Sequence, residues 1–246
     1  MINQALILAA GRGLRMGDAT DGLPKCLLSL GPETILDFQL RVLSWAGVKR
    51  LGIVTGYCAE AIKNQAGARV TEWFHNDDYD STNSLFSFYC AREFAEEGTL
   101  VLNSDVVFEP QLLKQLIEAP EDCALLYDPS HELGEEEMKV AIDQQGIVQR
   151  LSKALSAEEA AGENLGLVKF GPGAANQAFA ALQENHQQRF RNLWLPECIN
   201  YLAGARAFRA LSIQGRPWTE IDYAEDLRFA REEIYPKCAA ALGALS

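Results

Sequence analysis

The sequence predicts an α/β fold with a mixed, mainly parallel sheet flanked by helices. Three observations carry the prediction. The chain opens on a short apolar run, Ala5-Leu6-Ile7-Leu8-Ala9-Ala10, that stops at Gly11-Arg12-Gly13. An apolar run of that length bounded by glycine is the pattern of a strand buried on both faces of a parallel sheet. Runs of this kind then alternate with stretches of helical spacing as far as residue 127, the rhythm of repeated strand–helix units. In the middle the rhythm breaks into two short runs either side of Gly146, which adds an antiparallel hairpin.

The elements follow in order. A helix spans 34–45, where Ile35, Leu36, Phe38, Leu40, Val42 and Leu43 fall at roughly helical spacing and Gly47 stops it. Residues 51–56 form a strand, 59–65 a short helix and 70–74 a further strand. The stretch 83–94 reads as one helix with Leu85, Phe86, Phe88 and Tyr89 inward. A strand at 100–102 ends in Asn103-Ser104-Asp105. The helix at 110–118 begins with Pro110, tolerated there because a first-turn N–H has no helical partner to lose. A strand at 124–127, the hairpin at 140–143 and 147–151, a strand at 165–170 and a helix to about residue 185 come next. The tail from Tyr223 to Leu242 is mostly helical, with Asp226 in its first turn. The chain reads as one domain over 1–246, with an antiparallel substrate-side insertion at about 130–205.

Composition narrows the function. With 34 acidic against 22 basic side chains the formal charge is −12, which argues against nucleic acid or an anionic membrane surface as partner, because both need a basic face. Apolar residues make up 48 % of the chain, enough for a core and too many for disorder. No apolar stretch approaches the roughly 18–20 residues that span a bilayer, and Met1-Ile2-Asn3-Gln4 lacks the basic start of a secretory leader. The six cysteines include no C-x-x-C pair, so reduced thiols in a cytoplasm are expected rather than a zinc site or disulfides.

The first glycine turn carries the chemistry. Leu8-Ala9-Ala10-Gly11-Arg12-Gly13-Leu14-Arg15-Met16-Gly17 is followed by Pro24-Lys25-Cys26-Leu27-Leu28. Glycines let backbone N–H groups approach a phosphate, and Arg12, Arg15 and Lys25 add charged donors suited to a triphosphate. Met16 stands where the third glycine of G-x-G-x-x-G would be, and no lysine follows the glycines directly as in the Lys-Ser/Thr phosphate loop. Asp105 lies at the carboxyl end of a strand, where open α/β sheets collect ligands. Asp222 closes a distant segment, Trp218-Thr219-Glu220-Ile221-Asp222. Two such hard oxygen ligands suit a magnesium ion shared with substrate phosphates.

L-A-A-G-x-G-x-R-M followed by P-K-x-L-L resembles the signature of the nucleoside-triphosphate transferase superfamily, and the resemblance extends over essentially the whole chain. Tyr79-Asp80-Ser81-Thr82-Asn83-Ser84-Leu85 and the 218–222 segment are most similar to its phosphocholine cytidylyltransferase branch. Enzymes that make CDP-inositol and CDP-aminoethylphosphonate look closely related. The resemblance implies a Rossmann-like, GT-A-type nucleotidyltransferase fold and transfer of CMP from CTP to a phosphorylated aminoalcohol or a phosphonate. It implies Lys25, Arg15, Asp105 and Asp222 as catalytic residues, with Mg²⁺ held by Asp105 and Asp222. Nucleotide contacts fall on Leu8, Ala9, Ala10, Gly11, Arg12 and Gly13, and on Asn76, Thr82, Asn83 and Ser84. Asn83 and Ser84 suit a helix cap equally well.

The acceptor side, about 130–205 and the late segment, offers Lys153, Trp194, Glu197, Tyr201, Trp218 and Glu220. Aromatic faces there would hold a quaternary ammonium by cation–π attraction, with plain packing the competing role for each tryptophan. Asn103 departs from relatives that carry Asp two residues before the metal aspartate, which weakens a D-x-D glycosyltransferase reading. Expected partners are CTP and a small phosphate or phosphonate monoester, with no nucleic acid and no membrane insertion, and a homodimer allowed. Two other functions remain: a sugar-1-phosphate nucleotidylyltransferase using UTP, dTTP or GTP, and a non-catalytic nucleotide-binding module. The acceptor head group stays open.

Overall fold

Residues 2–13, 22–130 and 133–244 are described by a computed structural model. The chain runs from β1 (Gln4–Ala9) through α1 (Ile35–Trp45), β2 (Arg50–Thr55), α2 (Ala59–Ala66) and β3 (Glu72–His75). Next come α3 (Ser84–Cys90), α4 (Arg92–Ala95), β4 (Thr99–Asn103), β5 (Val106–Phe108), α5 (Pro110–Glu118) and β6 (Cys123–Asp128). The hairpin β7 (Lys139–Ile142) and β8 (Val148–Ser152) leads to β9 (Gly162–Phe170), α6 (Ala174–Asn185), α7 (Leu195–Ala205) and β10 (Phe208–Ser212). The chain closes with β11 (Trp218–Glu220), α8 (Ala224–Phe229), a π-helical turn at Ala230–Ile234 and α9 (Tyr235–Ala244).

The main sheet orders its strands β10-β6-β9-β4-β1-β2-β3. Along this path β9 alone runs antiparallel to its neighbours, and β7 pairs with β9 to hang the hairpin from it. The alternation of β1 divides the core. Ala5, Ile7 and Ala9 enter one apolar cluster with α1, α5 and α9, while Leu6, Leu8 and Ala10 enter a second with α3, α6 and α7. A strand buried on both faces needs apolar residues at every position, which is why β1 reads as a continuous run.

Local chemistry sets the element ends. Thr34 and Asp37 form a capping box at the start of α1, each accepting the other's backbone N–H. Pro110 occupies the first turn of α5 as expected. The helix expected over 83–94 is broken at Ala91 (φ −105°, ψ 24°) into α3 and α4. Phe88 and Phe94 both belong to the second cluster. Six positions apart on one straight helix they would point about 120° away from each other, and the break at Ala91 turns both inward. Elements absent from the expectation are β5, β10, β11 and α7.

The six parallel strands end at one edge of the sheet, and β9, running the other way, begins there with Glu163 opposite Asp128. Open α/β sheets place their ligands at this edge.

Candidate active site

The separate ribbon of β5 and β11 brings the two aspartates together. Its antiparallel register pairs Val106 with Glu220, Val107 with Thr219 and Phe108 with Trp218. The Ile221 N–H extends the ladder by donating to the Asp105 carbonyl at 3.0 Å. Asp105 therefore leaves one end of the ribbon beside Asp222, although 117 positions separate them in sequence. Asp226 fixes the second strand's exit by accepting the N–H groups of Asp222 and Tyr223 at 2.9 and 2.7 Å.

Lys25 lies between them. Its Nζ donates to Asp105 Oδ2 at 3.0 Å and to Asp222 Oδ1, with its side chain only 12 % exposed. Burial pulls the ammonium pKa down, but the two carboxylates more than reverse that and hold it above the ordinary lysine value. Lys25 sits in a single tight turn after Pro24. Gly13 adopts φ +64°, and a Cβ there would meet Lys25 Cγ at 2.7 Å, so glycine keeps the path of the lysine side chain clear.

The donor set fits a hard divalent cation, since two carboxylates from different strands already converge on one positive charge. Among the described residues no cluster of three or more His, Cys, Asp or Glu could hold a metal alone. A metal at this pair would take its remaining ligands from substrate phosphates and water, the usual habit of magnesium.

Further acids line the same edge. Burial, then the charges of Asp105 and Asp222, push Glu220 up to about 8, and Asn103 Nδ2 lies 3.5 Å from its Oε1. Glu163 is pushed to about 7 by burial first, then by Glu137, Asp128 and Asp222, against the opposing pull of Lys139. The β9 register sets Glu163 opposite both Asp128 and Lys139. The Lys139 Nζ donates to the Lys153 carbonyl at 2.7 Å. Trp218 is buried, and its Nε1 donates to Asp128 Oδ2 at 2.8 Å.

On the other half of the edge, buried Leu8, Ala9 and Ala10 lead to exposed Gly11 and Arg12. The Arg12 guanidinium lies 5.2 Å from the ring centroid of Tyr57, whose N–H donates to the Ala10 carbonyl. Arg15, expected beside it, lies outside the described residues. Asn76 is buried and spends its side chain locally: Nδ2 donates to Thr82 Oγ1 and Ser87 Oγ, and Oδ1 accepts the Asp78 N–H. It organises the 76–84 loop from within.

Asn83 occupies the cap position of α3 without making the cap hydrogen bond; its Nδ2 donates instead to the Asn192 carbonyl at 2.7 Å. Ser84 Oγ accepts the Leu195 N–H at 2.9 Å. These bonds tie the expected nucleotide loop to the start of α7, which carries expected acceptor residues. Trp194 stands 55 % exposed before α7. Glu197 and Tyr201 follow within α7, four positions apart and so on one side of the helix. Lys153 is exposed and pairs with Glu136 at 3.1 Å.

The structure thus brings together Lys25, Asp105, Asp222 and Glu220, and separately the 82–84 loop and the 194–201 helix. The expectation of an open aromatic face at Trp218 gives way to burial against Asp128. Sequence reasoning missed Glu163, whose neighbours in the chain form no motif; Lys139 is the buried lysine of this edge.

A family model described as a MobA-like NTP transferase domain matches residues 5–193. The CTP:phosphoglutamine cytidylyltransferase of Campylobacter jejuni is 27 % identical, over 93 % of this chain and 99 % of that protein. The CMP-5'-(3-aminopropyl)phosphonate synthase of Streptomyces rubellomurinus is 36 % identical over 50 % of this chain, which spans 20 % of that longer protein. In fold, the inositol-1-phosphate CTP transferase from T. maritima is similar with a TM-score of 0.80 at 19 % identity, covering 98 % of this chain and 96 % of that one.

Proposed function

The chain belongs to the MobA-like NTP transferase family, and from that premise we propose that it moves a cytidylyl group from CTP to a small phosphate or phosphonate monoester, releasing pyrophosphate. One arrangement supports this most: the lysine that follows the glycine-rich loop is held between Asp105 and Asp222. The relatives supply the substrate classes, CTP in the name of the Campylobacter protein and an amino-bearing phosphonate in that of the Streptomyces synthase.

In this mechanism an oxygen of the acceptor attacks the α-phosphorus of CTP. The new P–O bond forms as the bond to the bridging oxygen of the leaving pyrophosphate breaks. The acceptor oxygen is already ionised near neutral pH, so no nucleophile-activating base is required, and catalysis comes from positioning and charge neutralisation. Arg12, Arg15 and Lys25 hold the triphosphate, Lys25 leaving its carboxylates for the phosphates. Asp105 and Asp222 would hold Mg²⁺, which would supply positive charge to the phosphate oxygens. The backbone from Leu8 to Gly13 and the loop of Thr82, Asn83 and Ser84, shaped by Asn76, receive the nucleoside.

The acceptor side, about 130–205 within one nucleotidyltransferase domain, presents Lys153, Trp194, Glu197 and Tyr201, with Glu220 at its border and Trp218 bracing Asp128. Acidic side chains gathered at Asp128, Glu163 and Glu220 favour an acceptor with a cationic head group, whose charge would ionise Glu163 and Glu220, raised to about 7 and 8 without it. The reaction belongs in the cytoplasm, where CTP is available; among the described residues no helix is long and apolar enough to cross a membrane.

A matrix of CTP, UTP, dTTP and GTP against phosphocholine, phosphoethanolamine, 2-aminoethylphosphonate and sugar 1-phosphates, scored by Mg²⁺-dependent pyrophosphate release, tests the reading. CTP with an amino-bearing acceptor should dominate. Lys25→Ala and Asp222→Ala should each cut kcat by roughly a hundredfold or more with unchanged circular dichroism. Near-normal turnover in both variants overturns the mechanism.

A further inference from the structure

Gln39 is a polar side chain in an apolar place. It lies on α1 with 0 % of its surface exposed, among buried Leu36, Phe38, Leu40 and Leu43. Its Nε2 donates to two backbone carbonyls, Asn103 at 2.8 Å and Val106 at 2.9 Å. Both partners only accept, which fixes the amide with its NH₂ toward them. Its Oε1 is buried with no hydrogen-bond partner among the described residues, a cost that a leucine here would avoid. The two carbonyls bracket Ser104-Asp105, the turn between β4 and β5. On its other side the same turn is held by the Ile221 N–H on the Asp105 carbonyl.

We propose that Gln39 is a positioning residue: by gripping the carbonyls either side of Ser104-Asp105, it keeps the Asp105 carboxylate within reach of the cation that it shares with Asp222. The proposal rests on the reading of Asp105 and Asp222 as the metal pair. Gln39 touches neither metal nor substrate and acts through the backbone of the turn. Nothing in its sequence context marks it, because its partners lie 64 and 67 residues away.

The test measures Mn²⁺ binding by electron paramagnetic resonance with saturating CTP and no acceptor, so that no turnover is needed. Gln39→Leu and Gln39→Met fill the site with apolar side chains and should melt within a few degrees of the parent. Each should weaken Mn²⁺ binding roughly tenfold, as loss of an outer support of a metal ligand does. In turnover assays the Mg²⁺ concentration for half-maximal rate should rise by a similar factor, with KM for the acceptor unchanged. Asp105→Ala separates the two levels of the argument. If it leaves Mn²⁺ binding intact, the metal pair itself is misassigned. If it abolishes binding while both Gln39 variants bind like the parent, or if both variants lose the folded state, Gln39 is a packing residue and the positioning role is overturned.

Discussion

Lys25 is held by opposed forces, and its neighbour Gly13 decides whether it can be there at all. Desolvation disfavours the buried ammonium, and Asp105 and Asp222 outweigh it. Removing either carboxylate therefore exposes the other side of the balance. Gly13 adds a backbone constraint, with φ +64° and clearance for no Cβ beside Lys25. Gly13→Ala should cost about 1–2 kcal/mol from the left-handed conformation alone. Because the atom it strikes is on a flexible side chain, the larger effect falls on function, through displacement of the lysine. Expected is a fall in kcat of roughly tenfold or more with a melting temperature only a few degrees lower. Parent-like kcat in a folded Gly13→Ala would show that the loop tolerates a side chain and that Lys25 has another route.

At the scale of elements, the two-stranded ribbon is the device that assembles the site, and it was the part least legible in the sequence. β1, α1, β2, α5 and the β7–β8 hairpin announce themselves through local periodicity, glycine stops or a first-turn proline. The P-K pair and the aspartates are legible as motifs, and their resemblance to known transferases assigned them to one site before any geometry. β5 is three residues long and finds its partner in β11 more than a hundred residues later, so no local period marks either strand. The helical spacing of Leu195, Cys198, Ile199 and Leu202 does signal α7, but Pro196 and the flanking aromatics obscure it. Trp218 illustrates how such a ribbon is secured: buried at its end, it donates to Asp128 at 2.8 Å, joining β11 to the last residue of β6. Trp218→Phe keeps most of the packing and removes one donor to a buried carboxylate. The expected loss is about 1–3 kcal/mol, read as a lower urea midpoint with unchanged slope; an unchanged midpoint would mean that the bond contributes nothing to anchoring the ribbon.

For the whole molecule, the surplus of −12 is not spread evenly over the site. The half of the sheet edge at β1 carries Arg12 and Lys25, the half at β6 and β9 carries Asp128 and Glu163, and Glu220 stands on β11 between them, beside Asp105 and Asp222. On the proposed function, this division suits an anionic nucleotide on one side and a cationic head group on the other. It also makes stability depend on pH in a direction opposite to that of a salt-bridged carboxylate. Glu163 faces Glu137, Asp128 and Asp222, which raise its pKa, and Lys139, which lowers it; burial is the largest cause, and the result is about 7 against an ordinary 4.5. The folded chain therefore binds this proton more tightly than the unfolded chain. Stability from that proton is fully present below pH 4.5 and is lost as pH rises through about 7. Glu163→Gln removes the ionisation while keeping the shape. The variant should match the parent near pH 4.5 and exceed it above pH 7, by about 3 kcal/mol. Urea unfolding of metal-free protein at pH 5 and pH 8 measures this gap. A gap that stays constant or narrows between the two would mean that Glu163 is ionised in the folded protein throughout, paired more closely with Lys139 than with its acidic neighbours.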